Sequence, residues 1–411
     1  MFKRILITTS MLLFFLTASK AQDLFLSGYA RTYIGALTTG ESDYSILQNT
    51  FSLNFEHSRD NVYFKVNPFL YHYSDDELEL GLRQAYMDLY FDSFDIRFGK
   101  QQIIWGKADG VFITDIVSPK DMREFLLPDF NEIRVGVTSL KFNYYYGNNT
   151  FELVWIPVFT PTQMPDNSSI WSVSPDYPLP YSFNNSNADV QDRLSNSELF
   201  VKYSLLSSAI DFELMAGYSW DDDPTFHSEK IFNPALGQVD SVVLKLEHHR
   251  LTTFGGSFST TLGPIVLRGE GAGYSGKYFQ SVNPQIPDGT EKKDYLHYLF
   301  GIDYSIGDLK LSSQFIQQAI LNYNDYLQND EYENTLTFLA TIDFLRETLN
   351  VELFSYIGLN ESDALVRPKI TYDFADGFEM QFGANLFFGD KGQFGRFDKN
   401  DMIYTKLKYS F

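Results

Sequence analysis

The last nine residues, Ile403-Tyr404-Thr405-Lys406-Leu407-Lys408-Tyr409-Ser410-Phe411, alternate strictly along the chain. Ile403, Thr405, Leu407, Tyr409 and Phe411 share one face of an extended strand, and Tyr404, Lys406, Lys408 and Ser410 share the other. One side suits lipid and the other suits water. The same period recurs upstream. Phe378, Met380 and Phe382 oppose Glu379 and Gln381; Tyr298, Phe300, Ile302 and Tyr304 oppose His297 and Asp303; Phe94, Ile96 and Phe98 oppose Asp95, Arg97 and Gly99. A soluble sandwich also alternates, but so many aromatic faces exceed what one compact core needs. The expected fold is therefore all-β, a transmembrane antiparallel up-and-down β-barrel.

Connections set the strand count. Short turns fall at 58–61, 92–93, 147–149, 207–208, 263–264, 307–308, 346–348 and 375–377. Longer polar links fall at 39–44, 74–77, 104–133, 161–195, 221–245, 281–292, 323–331, 360–362 and 390–400. Short periplasmic turns alternating with longer external loops mark a membrane barrel. The count is eighteen strands, with sixteen as the alternative because 46–57 and 246–262 alternate less regularly. Both ends then lie on the periplasmic side. The first strand starts at about Leu24, which leaves no room for an N-terminal plug domain.

The N-terminus reads as a cleavable export signal over residues 1–21. Lys3 and Arg4 precede an apolar stretch from Ile5 to Leu16 and small residues up to Ala21, and that stretch is too short to span a bilayer. Residues 22–411 form the barrel. With no cysteines, an exported chain must be stabilised without disulfides, and a closed ring of strands does this by pairing every central backbone group. Aromatic residues make up 17% of the chain while the mean hydropathy is −0.21, a combination expected when only alternate residues face lipid. The formal charge of −21 becomes about −24 once Lys3, Arg4 and Lys20 are removed, which argues against nucleic-acid binding. Inward positions carry both signs: Arg31, Lys65, Arg97, Arg268, Arg367 and Lys406 among the cations, Glu56, Asp88, Glu213, Glu270 and Glu352 among the anions. Most of the acidic excess therefore belongs to loops and turns.

A barrel of this size should be roughly 35 Å across, wide enough to hold water. The best candidate for narrowing it is the stretch 101–134, QQIIWGKADGVFITDIVSPKDMREFLLPDFNEIR, which alternates far less than its flanks. Extended chain covers about 3.3 Å per residue, so the stretch is long enough to enter the barrel and return. Trp105, Lys107, Asp109, Asp115, Lys120, Asp121 and Arg123, with Arg97 on the preceding strand, are the candidate constriction residues; mixed charges facing one another would sort solutes by field. An exposed external loop is the competing expectation.

Gly99-Lys100-Gln101, then Trp105-Gly106, then Pro119-Lys120-Asp121, resemble the G-[RK]-Q…W-G…P-x-D segment of uncharacterised porin-like families. Ser118 stands where those families usually place Asn. The resemblance implies an outer-membrane pore and names no solute.

Other signals are weaker. Asp221-Asp222-Asp223 and residues 324–333 read as solvated acidic loops. His248 and His249 point to opposite faces of an extended chain, suiting neither a metal pair nor a dyad. His297 faces the lumen near Asp303 without a nucleophile beside it. Residues 157–180, with Trp155 and Trp171, read as an aromatic rim, and Phe354 and Tyr356 lie near the lumen. The expected function is an outer-membrane porin or channel for small polar solutes, with no catalytic residues, cofactor or metal. Its partners would be outer-membrane lipid and the solute, with a homo-oligomer or a lipoprotein possible. The alternatives are a non-conducting barrel that anchors or assembles a surface complex and an outer-membrane hydrolase.

Overall fold

The strand that alternates so strictly pairs with the first strand of the chain, and that pairing closes the fold. A computed structural model describes residues 24–39, 43–73, 77–108, 110–173, 179–186, 188–233 and 237–411. The export signal expected over 1–21 lies outside the described residues. In chain order the first strands are β1 (Leu24–Leu37), β2 (Tyr44–Arg59), β3 (Val62–Tyr73), β4 (Leu78–Tyr90), β5 (Phe94–Gln101), β6 (Val137–Tyr146) and β7 (Asn149–Ile156). Next come β8 (Tyr181–Asn184), β9 (Glu198–Leu205), β10 (Asp211–Trp220), β11 (Thr225–Asn233), β12 (Gln238–Glu247), β13 (Arg250–Leu262) and β14 (Ile265–Gln280). The last are β15 (Thr290–Ile306), β16 (Leu309–Ile320), β17 (Tyr332–Phe344), β18 (Leu349–Gly358), β19 (Asp363–Ala375), β20 (Phe378–Phe388) and β21 (Met402–Ser410).

Eighteen of these strands form one antiparallel sheet, and β1 pairs with both β2 and β21, so the sheet is a closed ring without edges. Phe411 adds main-chain bonds in both directions with Gly28, each 3.0 Å. The other three, β8, β11 and β12, form a separate small sheet on the long-loop rim, with β8 parallel to β12. This corrects the reading of 161–195 and 221–245 as plain polar links, and it moves the start of the barrel strand expected at 246–262 to Arg250. A ribbon with polar side chains on both faces, as in His227-Ser228-Glu229-Lys230, lacks the lipid-facing aromatics by which strands were recognised.

On the opposite rim the turns are tight. Leu262 and Ile265 are joined through Gly263, and Ile306 and Leu309 through Gly307; both glycines have positive φ, 62° and 56°, which a two-residue hairpin turn favours.

Alternation sorts the wall. Phe300, Ile302, Phe382, Ile403 and Leu407 are exposed on the outer face, whereas Arg31, Glu213, Glu270, Gln314 and Lys406 are buried inside. One bulge changes the pattern. Gln84 pairs with Asn67 and Leu82 with Pro68, which leaves Arg83 as the extra residue. A bulge re-aims the side chains beyond it. Leu80 and Leu78 thus turn outward, 79% and 64% exposed, while Arg83 and Glu79 reach partners on the luminal segment.

Closure at β1–β21 is directly testable in this cysteine-free chain. Ala30→Cys with Tyr409→Cys should form a disulfide without a catalyst, because directly opposed residues in an antiparallel pair have Cα atoms about 4.5–5.5 Å apart, within disulfide reach. Ala30→Cys with Leu407→Cys should not. The reverse pattern on a non-reducing gel would show a different register.

Candidate functional site

Residues 102–108 and 110–136, between β5 and β6, run across the inside of the ring, and their apolar side chains explain why. Ile103, Trp105 and Val117 pack with Val154 and Ile156 of β7, Phe200 of β9 and Met215 of β10. Ile113 packs with Ala272 of β14, Leu299 of β15 and Ile316 of β16. Phe125 and Leu127 join Tyr33 of β1, Phe354 and Tyr356 of β18, Leu365 of β19, Phe387 of β20 and Tyr404 of β21. Each wall residue named is an apolar side chain aimed inward, and the segment covers it. Trp105 is 2% exposed and Ile113 fully buried.

Polar contacts continue the same circuit. Trp105 Nε1 donates to Glu152 Oε1 at 2.5 Å, and the Lys202 ammonium lies 5.3 Å from the centre of its ring. Glu270 accepts from the main-chain N–H groups of Lys107 (3.0 Å) and Thr114 (2.6 Å), and from the Thr114 hydroxyl at 2.7 Å. Arg268 donates to the Lys107 carbonyl at 3.1 Å and Tyr356 to the Gly110 carbonyl at 2.7 Å. Arg367 donates to the carbonyls of Leu126 and Leu127, both at 3.0 Å. Thus one segment is held from β1, β4, β7, β14, β18, β19 and β21, positions distributed around the whole ring.

Most of its described charges are paired. Arg134 and Asp115 form a buried ion pair at 2.5 Å, and Asp115 also accepts from the Trp105 N–H at 3.1 Å. Glu132 bonds Arg31 at 3.0 Å, Arg83 at 3.3 Å and the Tyr29 hydroxyl at 2.7 Å. Burial opposes ionisation of Glu132, but Arg31 and Arg83 outweigh it and hold the carboxyl below its ordinary range. Asp129 faces Lys406 at 3.5 Å and Arg31 at 3.6 Å. Glu124 behaves oppositely: burial raises its carboxyl to about 7, against the pull of Lys406.

The sequence-selected residues divide accordingly. Trp105, Lys107 and Asp115 lie in the luminal segment against the wall, with Lys107 Nζ 3.5 Å from Glu213. Asp121 and Arg123 form a cluster with Glu79 of β4, at 2.7 and 3.0 Å from the guanidinium. Lys120 sits 5.3 Å from the Phe112 ring centre. Arg97 is elsewhere: it pairs with Asp88 at 2.6 Å and lies over the Tyr86 ring, entirely within wall strands β4 and β5. Asp109 lies outside the described residues. Sequence reasoning did not select Arg83, Glu132, Glu270, Arg367 or Lys406 for the site. Four of these were visible as charges, on inward strand positions or in the segment; Arg83 was hidden by the bulge.

Several neighbouring expectations change as well. Trp171 is buried and stacked 6.4 Å from Phe125, so it belongs to the luminal packing rather than to a rim. Asp221 is buried and bonded to Lys277 at 2.7 Å instead of standing in a solvated loop. His297 and Asp303 are not joined, because Asp303 pairs with Arg268 at 2.8 Å.

Several spaces border the segment, two of them contrasting in character. A cavity of about 310 Å³ is lined by Tyr33, Asp129, Glu352, Arg367, Lys369 and Lys406, among others. Lys369 and Glu352 pair at 3.0 Å, so both signs of charge face it. A more apolar space of about 780 Å³ lies against the other side, lined by Phe112, Met122, Phe125, Trp171, Phe226, Phe394 and Phe397 among others.

A closed ring with an apolar outer face, a charged inner face and a long connection folded across it defines a porin-like transmembrane barrel. No family model and no curated protein matches the chain. Solved structures of outer-membrane porins share its fold. Pseudomonas aeruginosa OccK5 (OpdH) is 12% identical, covering 96% of this chain and 99% of its own, with a TM-score of 0.55. Acinetobacter baumannii OccAB1 is 10% identical over 96% and 99%, with a TM-score of 0.56. Pseudomonas aeruginosa OccK2 (OpdF), solved in complex with glucuronate, is 12% identical over 95% and 96%, also at 0.56.

Removing one partner of the Arg134–Asp115 pair leaves a buried charge uncompensated, at a cost of about 3–5 kcal/mol. Asp115→Ala should therefore loosen the segment while the ring stays closed. Trypsin should then cut at Lys107 or Lys120 in the folded, heat-modifiable barrel, with the wild type resisting. Equal resistance of both proteins would show that the pair does not hold the segment.

Proposed function

We propose that the protein is an outer-membrane porin that passes small polar solutes through a lumen narrowed by residues 104–133, exported by the signal at residues 1–21. The observation that carries this reading is the segment's attachment around the ring, beside a charged cavity about as large as a small solute. Water inside such a barrel is confined to the space the segment leaves. Solutes passing there meet Arg367, Lys369 and Lys406 close to Asp129 and Glu352, and opposed charges at a constriction orient a dipolar solute. The shared fold with porins supports the same reading.

Kinship with the porin-like families that carry a G-[RK]-Q…W-G…P-x-D segment is part of the proposal, and the residues concerned have physical tasks. Gly99 has φ of +123°, and a side chain there would collide with the Ala85 carbonyl. Gln101 is fully buried and donates to the Ser139 carbonyl at 3.2 Å. The Pro119 carbonyl accepts from the Val135 N–H at 2.8 Å. These contacts fix where the segment leaves the wall and where it returns.

Liposomes carrying the purified protein should swell in isosmotic glycine, arabinose or glucuronate faster than empty liposomes, and progressively less in larger sugars. Swelling no faster than in protein-free liposomes would overturn the porin reading. Glu124 supplies a pH dependence. With its pKa at about 7, raising pH from 6 to 8 takes Glu124 from mostly protonated to mostly ionised and adds most of one negative charge inside the barrel. A unit charge several ångströms from an aqueous path is worth about RT, favouring cations and disfavouring anions alike, so the cation-to-anion permeability ratio should rise several-fold. Glu124→Gln should reduce that rise; an undiminished rise would assign it wholly to other groups.

A further inference from the structure

On the long-loop rim, away from the lumen-crossing segment, the β11–β12 hairpin assembles a constellation typical of a metal site. Thr225 pairs with Glu247 and His227 with Lys245, so His227 and Glu247 are diagonal neighbours on one face of the ribbon. His249 follows Glu247 by two residues. One potential ligand atom each from His227, Glu247 and His249 lies within 4.8 Å of the others, and the two imidazole Nε2 atoms are 2.7 Å apart.

The second layer is built as well. The His227 Nδ1 lies 3.1 Å from Asp288 Oδ2 on the β14–β15 connection, and the Thr290 hydroxyl donates to the same oxygen at 3.2 Å. Asp288 can only accept, so Nδ1 of His227 carries the proton and its Nε2 offers a lone pair towards His249. A carboxylate holding the far nitrogen of an imidazole is the usual support of a metal-ligating histidine. Tyr278 of β14 stacks on the His249 ring at 3.9 Å and fixes its plane.

We propose that His227, Glu247 and His249 bind a divalent first-row transition-metal ion of the zinc class. Two imidazoles and one carboxylate suit Zn²⁺, Ni²⁺ or Cu²⁺, whereas Ca²⁺ and Mg²⁺ call for oxygen ligands. Three protein ligands leave a fourth position for water or an external donor. Zinc–nitrogen bonds of about 2.0–2.1 Å in a tetrahedron place nitrogens roughly 3.3 Å apart, so the two rings must part by about 0.6 Å. In the metal-free protein a hydrogen bond occupies that gap, and the ion replaces its proton. Bound metal ties the hairpin to the start of β13, and through Asp288 to the β14–β15 connection. His248 takes no part: its Nδ1 lies 2.7 Å from the Asp221 carbonyl, and its ring packs on Phe159.

The test is zinc titration by calorimetry on the full chain in detergent after stripping with a chelator, with X-ray absorption at the zinc edge. The expected result is one zinc per barrel with two imidazoles in its first shell. His227→Gln and His249→Gln should each weaken binding at least about 100-fold, Asp288→Asn roughly 10- to 100-fold, and His248→Gln not at all. Heat-shifted gel mobility checks that each variant keeps its barrel. Absence of stoichiometric, imidazole-bound zinc in the wild type overturns the proposal without recourse to any variant. Undiminished binding in the His227→Gln, His249→Gln double variant overturns it too.

Discussion

The arrangement depends on apolar side chains aimed into the barrel, where alternation calls for polar ones. Val154, Ile156, Phe200, Met215, Leu299, Ile316, Phe354 and Phe387 would face water in an open lumen. Ile103, Trp105, Ile113, Val117, Phe125 and Leu127 would face water in an external loop. Each set removes the other from water, at roughly 25 cal/mol for every square ångström of apolar surface buried. The segment therefore has a second, inner core to fold onto, supplied by the same strands that present lipid-facing residues outside.

Apolar packing alone would not fix direction or height; the charged contacts do. Glu270 takes three donors from the segment, Arg367 takes two of its carbonyls, and Glu132 lies between Arg31 and Arg83. A buried charge left unpaired is costly, so few other placements of the segment satisfy all of these groups. Arg367 also lines the charged cavity, beside Asp129, Glu352, Lys369 and Lys406.

The wall was legible because lipid and water impose period two on every membrane strand, and eighteen strands followed from counting turns between alternating runs. The β11–β12 ribbon was not, since a hairpin standing outside the membrane needs no aromatic face. Arg83 could not be placed inside, because one bulged residue in β4 reverses the parity of everything before it. Arg97 was correctly read as inward but lies with Asp88, far along β5 from where the segment begins; charge and proximity in sequence do not give height along a barrel. The sequence did mark 101–134 as a stretch that abandons alternation. What it could not show was that the inward apolar residues scattered over β7, β9, β10, β15 and β18 converge on that stretch, because the ring brings them together only once it is closed. His249 was read only against its neighbour His248, and its approach to His227 was not legible for the same reason: that neighbourhood is made by a hairpin pairing, not by sequence adjacency.

Single-channel conductance in a planar bilayer tests the central claim most directly, with the intact protein compared with a variant in which a short glycine-serine linker replaces residues 107–130. If this segment narrows the lumen, both proteins will show steady open-channel steps, and those of the variant will be several-fold larger. Equal conductance in two folded, heat-modifiable barrels, or no steps from either, would contradict the account.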